Sequence, residues 1–391
     1  MDAIEIDTIE RWKRHIHEAQ ELKGIIVQGL DLTGETEALS RLPISTTNPP
    51  VFLGCQLDAR ALARLYDDGA LVFPWLPGLP YHPYRGALYT VGELFFGFDP
   101  DRPESYEETL DKTVYRHWEK TGGPHPQSLL EALAQRLHDH AITDAMEDLL
   151  FPPGEPKKKV VAVMGGHGLS RLDVGYYEVA RIARALTRLG FLIATGGGPG
   201  AMEAAHFGAY FAGRDDAEME QARSILAQAP SYKDALWMPQ AFRVRAKYPP
   251  KAEDSERFPS LGIPTWLYGH EPPNVFATHI AKYFANSVRE DGILTIATGG
   301  VVFSPGSAGT IQEIFQDACQ NHYKSTGVVS PMVFLGKAFW TETKPVFPLL
   351  AQLAKGMEYE KYLRITDSGD DVVAAIVAYD EAMNGNGGAD P

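Results

Sequence analysis

A chain of 391 residues with 51 acidic against 36 basic side chains carries a formal net charge of −15, which disfavours a DNA or RNA partner, because a polyanion wants a basic face. Cys55 and Cys319 are the only cysteines, so neither a disulfide framework nor a cysteine-based metal site is implied. No apolar run reaches membrane-spanning length and Met1 to Glu5 shows no basic-then-apolar leader, so a cytoplasmic protein of two or three domains is expected, with no membrane partner.

Residues 1–150 read as an α/β domain of no evident role, without a catalytic motif. Helical spacing covers 9–23 and 58–66, short strands are expected at 24–28, 50–54 and 70–73, and the Pro- and Tyr-rich stretch 74–85 reads as loop. A helical pair is expected over 129–150. His15, His17, His82, His117 and His125 are dispersed and are assigned structural or solvated roles. Phe151 to Pro156 is a linker by composition.

A second domain is expected over 157–383. Val160 to Met164 is a continuous apolar run of the kind a buried parallel strand needs, and the turn Gly165-Gly166-His167-Gly168 follows it. Val179, Ile182, Ala183, Leu186 and Leu189 form one helical face that Gly190 terminates. A strand at 191–194 and a helix at 202–212 come next, then a polar insertion at 214–260. The pattern resumes with strands at 263–268, 301–303 and 331–335 and helices at 276–289, 310–322, 346–355 and 371–383, and 384–391 reads as a disordered tail. Alternation of this kind predicts a Rossmann-like, doubly wound parallel sheet in an α/β fold.

Two glycine-rich turns stand out, Thr-Gly-Gly-Gly-Pro-Gly-Ala-Met-Glu at 195–203 and Ser-Pro-Gly-Ser-Ala-Gly-Thr-Ile-Gln-Glu at 304–313. Each follows an apolar run and opens a helix-like run. A helix N-terminus has unpaired amides and partial positive charge, so it can hold a phosphate. Glu313 lies one helical turn beyond the second. Gly196-x-Gly198-x-x-Ala201 formally fits the dinucleotide fingerprint, but no acidic residue ends a strand about twenty residues on, which argues against a dehydrogenase.

These two motifs, with Gly165-Gly166-His167 and Glu271-Pro272-Pro273-Asn274, resemble the LOG or "lysine decarboxylase-like" family over about residues 157–355, and within it the bacterial pyrimidine/purine nucleotide 5′-monophosphate nucleosidases. The resemblance implies hydrolysis of a nucleoside 5′-monophosphate to free base and ribose 5-phosphate, without metal or cofactor, by a homo-oligomer, a dimer or tetramer. Under it, Glu313 stabilises charge on the ribose or activates water, and Arg289 holds the nucleotide or the carboxylate. Gly306, Ser307, Gly309 and Thr310 bind phosphate. Gly196, Gly197, Gly198 and Gly200 wrap the ligand from the other side, Glu203 meets the ribose hydroxyls, and Gly165, Gly166, His167 and Asn274 complete the site. Two positions depart from the family pattern: Ser307 stands where the motif has glycine, and Arg289 lies one position farther from Pro305. The alternative reading is a non-catalytic protein that binds or carries a nucleotide or the molybdenum cofactor, as relatives with this fold do.

Overall fold

The computed structural model describes residues 4–250, 256–269 and 271–386. The insertion's 251–255 and the tail's 387–391 therefore lie outside the described residues. The chain divides into two units that cut across the expected boundary near residue 150: Met1–Leu88 with His117–Asp148, and Tyr89–Arg116 with Leu149–Pro391.

The first unit holds a four-stranded parallel sheet in the order β1 (Ile4–Ile6), β2 (Ile25–Gln28), β3 (Val51–Leu53), β4 (Leu71–Phe73). Trp12, Leu22, Val27, Leu39, Phe52 and Leu65 are sealed in its core, and Trp12 meets Phe52 edge-on with ring centres 6.3 Å apart. Thr8 and Asp58 cap the helices Ile9–Glu18 and Ala59–Asp67, each hydroxyl or carboxylate accepting from the first turn. The expected helical pair at 129–150 is one helix, Leu129–Leu150, because no Gly or Pro interrupts it.

The second unit is a seven-stranded sheet, parallel throughout its described pairings, with helices as connections. Its order is β11-β10-β9-β5-β6-β7-β8, over β5 (Val160–Met164), β6 (Leu192–Thr195), β7 (Ser260–Gly262), β8 (His279–Ile280), β9 (Gly300–Phe303), β10 (Met332–Leu335) and β11 (Leu363–Thr366). The helices that matter here are α1 (Val174–Arg188), α2 (Ala201–Tyr210), α3 (Asp216–Leu226), α4 (Trp237–Lys247), α5 (Asn286–Ile296) and α6 (Ala308–Tyr323). β5, β6, β9 and β10 are buried along their whole lengths, which explains their unbroken apolar sequence. The architecture is Rossmann-like, doubly wound α/β.

Three expected elements differ. The strand expected at 263–268 is β7, which ends at Gly262; Pro264 breaks the ladder and Thr265 caps a short 3-10 turn over Trp266–Tyr268, accepting from the Leu267 amide at 3.1 Å. The helix expected from 276 starts only at Asn286. Its first half is extended instead, because Ala281 and Tyr283 donate to the carbonyls of Gly262 and Pro264 at 2.8 and 3.0 Å. The last helix runs Gly369–Asn386, through the start of the expected tail.

Candidate functional site

The chain lays β6, β7 and β8 on one side of β5, then returns to place β9 on its other side. Strand order reverses between β5 and β9, and in open α/β sheets ligands collect beyond the carboxyl ends of the strands at that point. The turns after these two strands are tied directly together. The Gly166 amide donates to the Pro305 carbonyl at 3.0 Å and the Ser304 amide to Met164 at 2.9 Å. They enclose one side of a cleft of about 680 Å³ whose lining includes Gly165, Gly166, His167, Gly196, Arg289, Gly306, Ser307, Gly309, Thr310 and Glu313.

Pro305–Ser307 leads into α6, whose first amides have no intrahelical acceptor and face an anion with the positive end of the helix dipole. Gly306 is glycine for a steric reason: a Cβ there would run into the Thr310 side chain. Ser307 is the helix N-cap residue but its hydroxyl makes no cap bond. It accepts instead from Lys344 Nζ at 3.1 Å, and the same ammonium donates to the Gly306 carbonyl at 2.8 Å. Lys344 arrives at the end of a wide helical turn, Phe339–Thr343, and both Phe339 and Lys344 line the cleft.

Glu313 and Arg289 come together, with Nη1 and Oε1 3.8 Å apart. Both side chains are mostly buried, 11% and 14% exposed for Arg289 and Glu313. Burial pushes the Glu313 carboxyl up to about 7, the adjacent Arg289 opposing this and Glu290 adding to it. Arg289 also donates to Asn286 at 3.2 Å and lies 3.9 Å from Glu290, while its Nε is buried without a hydrogen-bond partner. Gly196 leaves room for this guanidinium, since a Cβ there would come within 3.4 Å of it. Across the cleft, His167 lies 3.8 Å from Glu271 and meets Tyr232 edge-on. Tyr268 completes the aromatic lining.

The first glycine turn supports the cleft more than it lines it. Gly197 and Gly200 have φ of 73° and 70°, conformations that L side chains rarely adopt. A Cβ on Gly200 would strike the carbonyls of Gly166 and His167. Gly197 packs against the Ile263-Pro264 segment, Gly198 against Met202 and Gly200 against the loop after β5.

Two residues expected at the ligand have their polar groups taken up by the protein itself. Asn274 is buried and serves the turn: its amide donates to Gly197 at 2.8 Å, its side-chain nitrogen to the Gly198 carbonyl at 3.0 Å, and its carboxamide meets His206 Nδ1. His206 is held neutral by this burial, its pKa lowered to about 4. Glu203 is also fully buried, 0% exposed, and is not among the residues that line the cleft. Its carboxylate takes Arg171 Nε at 2.9 Å and the Tyr176 hydroxyl at 3.0 Å. Arg171 Nη1 spends its hydrogens on the carbonyls of Ala229 and Trp237, at 3.2 and 3.0 Å, so the pair clamps the α3–α4 segment to the loop after β5. Lys344, Phe339, Tyr268, Tyr232, Glu290, Glu271 and Arg171 are residues that sequence reasoning did not assign. Only Glu271 carried a signal, through its place in the Glu-Pro-Pro-Asn motif.

Among the described residues no group of three or more His, Cys, Asp and Glu side chains fits a metal, and no helix is long and apolar enough to cross a membrane. No family model and no curated protein matches the chain. Among solved structures it is similar to the molybdenum cofactor binding protein from the phototrophic bacterium Rippkaea orientalis, at 13% identity and a TM-score of 0.35 over 57% of this chain and 99% of that one. It is similar also to the molybdenum cofactor carrier protein from Chlamydomonas reinhardtii, at 15% identity and a TM-score of 0.35 over 57% and 98%. At these identities the likeness concerns the fold. The expected cleavage of nucleoside 5′-monophosphates is corrected in that the neighbours found are described as a binding protein and a carrier, not as hydrolases.

Proposed function

We propose that this cleft binds a small anionic ligand, a nucleotide or the molybdenum cofactor, and holds it without breaking it. The observation that carries the reading is the convergence at one switch point of the α6 amides, Thr310 and Lys344. A volume of about 680 Å³ suits a ligand of this size. The helix end and the ammonium supply the anion site. Tyr268, Phe339 and His167 offer flat faces to a ring.

Calorimetry with AMP, GMP, CMP, UMP and IMP, followed by chromatography of the same samples, tests this. Binding of at least one nucleotide with no free base released is the expected result. Base release on repeated turnover overturns the non-catalytic reading, and binding of none overturns the site.

A further inference from the structure

The chain carries a net charge of −15, yet a second pocket, away from the cleft, is lined by two cations and, among the described residues, by no carboxylate. Its volume is about 260 Å³. Pro331 and Tyr362 lie in its wall, and they immediately precede β10 and β11. The pocket is therefore at the amino ends of the parallel strands, opposite the glycine turns. Ala375, Ala378 and Tyr379 close it from the last helix, where positions three and four apart share a face. The two short alanine side chains leave the space open.

The cations are Lys361 and Arg364. A guanidinium has five donor hydrogens. Arg364 Nη1 donates to the Leu363 carbonyl at 2.9 Å, and no carboxylate pairs with this side chain among the described residues. Lys361 Nζ lies 4.7 Å from the centre of the Tyr362 ring and 3.7 Å from Glu358. Glu358 sits closer to Lys324, at 2.6 Å. Asp380, next to Tyr379, is engaged by Lys159 at 2.6 Å. Lys361, Arg364 and Lys324 thus share a single carboxylate, and the local balance is positive.

The rest of the wall is apolar and aromatic. Tyr362 and Tyr379 cross at 85° with ring centres 5.0 Å apart. Burial, with Tyr362, Asp380 and Glu358 adding to it, pushes the Tyr379 hydroxyl up to about 12, so it brings no negative charge. A cavity of about 150 Å³ takes a benzene ring, and drug-sized ligands occupy roughly 300 Å³ or more. The volume here suits one ring with one small charged group. A guanidinium fork matches the two oxygens of a carboxylate. We infer that this pocket binds a single-ring aromatic carboxylate, its ring against Ala375, Ala378 and the two tyrosines and its carboxylate on Arg364 and Lys361. The site is separate from the cleft and does not depend on what the cleft holds.

Calorimetry on the intact protein with benzoate and benzamide tests the inference. The two probes share a shape, and only the first is charged. The wild type is expected to bind benzoate about tenfold or more tighter than benzamide. Arg364→Gln should weaken benzoate about five- to tenfold and leave benzamide unchanged. Ala375→Leu fills the pocket and should abolish binding of both probes with a thermal midpoint near that of the wild type. Ala378→Leu, at an exposed position, gives the same readout if the first leucine variant unfolds. Benzoate binding that survives the leucine variants lies elsewhere, the cleft included, and overturns the inference. Unchanged benzoate affinity in Arg364→Gln, equal affinity of the wild type for the two probes, or binding of neither overturns it as well.

Discussion

Arg171 and Glu203 form a bidentate ion pair sealed inside the second unit, with side chains 1% and 0% exposed and Nε to Oε2 at 2.9 Å. Removing one partner leaves the other charge uncompensated in a low-dielectric interior, so Arg171→Ala and Glu203→Ala should each cost about 3–5 kcal/mol of unfolding free energy. Denaturant melts of the single and double variants check this. The double variant should lose much less than the sum of the two, and additive losses would dissolve the pair as a unit. Proteolysis should also open the α3–α4 segment first in Arg171→Ala, since that arginine holds the carbonyls of Ala229 and Trp237.

Glu313 gives the protein a pH-dependent stability of definite sign. Its carboxyl rises from 4.5 to about 7 on folding, so the native state binds the extra proton between these values. The favourable contribution is complete below about pH 4.5 and is lost as pH rises through 7. Glu313→Gln removes that loss. At pH 8 the variant should therefore exceed the wild type by up to about 3 kcal/mol, and the gap should close toward pH 5. A gap that is constant with pH contradicts the shifted carboxyl.

His206 acts in the opposite sense. Its pKa falls from 6.5 to about 4, so its contribution is present above pH 6.5 and is lost as pH falls through 4. Ring-carbon NMR shifts should report a neutral imidazole at pH 5. Asn274→Ala strips His206 and the Gly198 carbonyl of a partner and should cost about 1–3 kcal/mol. An imidazole that titrates near 6.5 removes the burial argument.

Two glycines of the turns should answer differently to the same change. Gly200→Ala forces a Cβ into the Gly166 and His167 carbonyls at a positive φ and should cost well over 1 kcal/mol. Gly309→Ala meets nothing within 4 Å and lies in the first turn of α6, so stability should hold or rise by about 0.5–1 kcal/mol. Thermal melts of the two variants separate them, and equal losses would show that the turns are not shaped as described.

The doubly wound unit was legible because strands buried on both faces, Val160–Met164 and Met332–Leu335, show as unbroken apolar runs bracketed by glycine turns. The outermost strands were not. His279–Ile280 is two residues long, and Leu363–Thr366 mixes polar with apolar residues as one edge of a sheet permits. Glu203 looked like an ordinary first-turn acid beside a ligand; its burial depends on Arg171, 32 residues away, which no local pattern announces. Lys344 was invisible for a related reason. A single lysine in Thr341-Glu342-Thr343-Lys344 has no periodic signal, and its meaning comes from Ser307 across the fold.

The bond from the Gly166 amide to the Pro305 carbonyl joins turns on neighbouring strands that β6, β7 and β8 separate in sequence. An anion site built from both turns therefore exists only where that long loop is closed. A chain ending before residue 300 lacks the second turn and α6, and with them one wall of the cleft. Ligand capture is thereby a readout of the finished molecule, and a captured ligand shifts the balance toward that molecule by mass action.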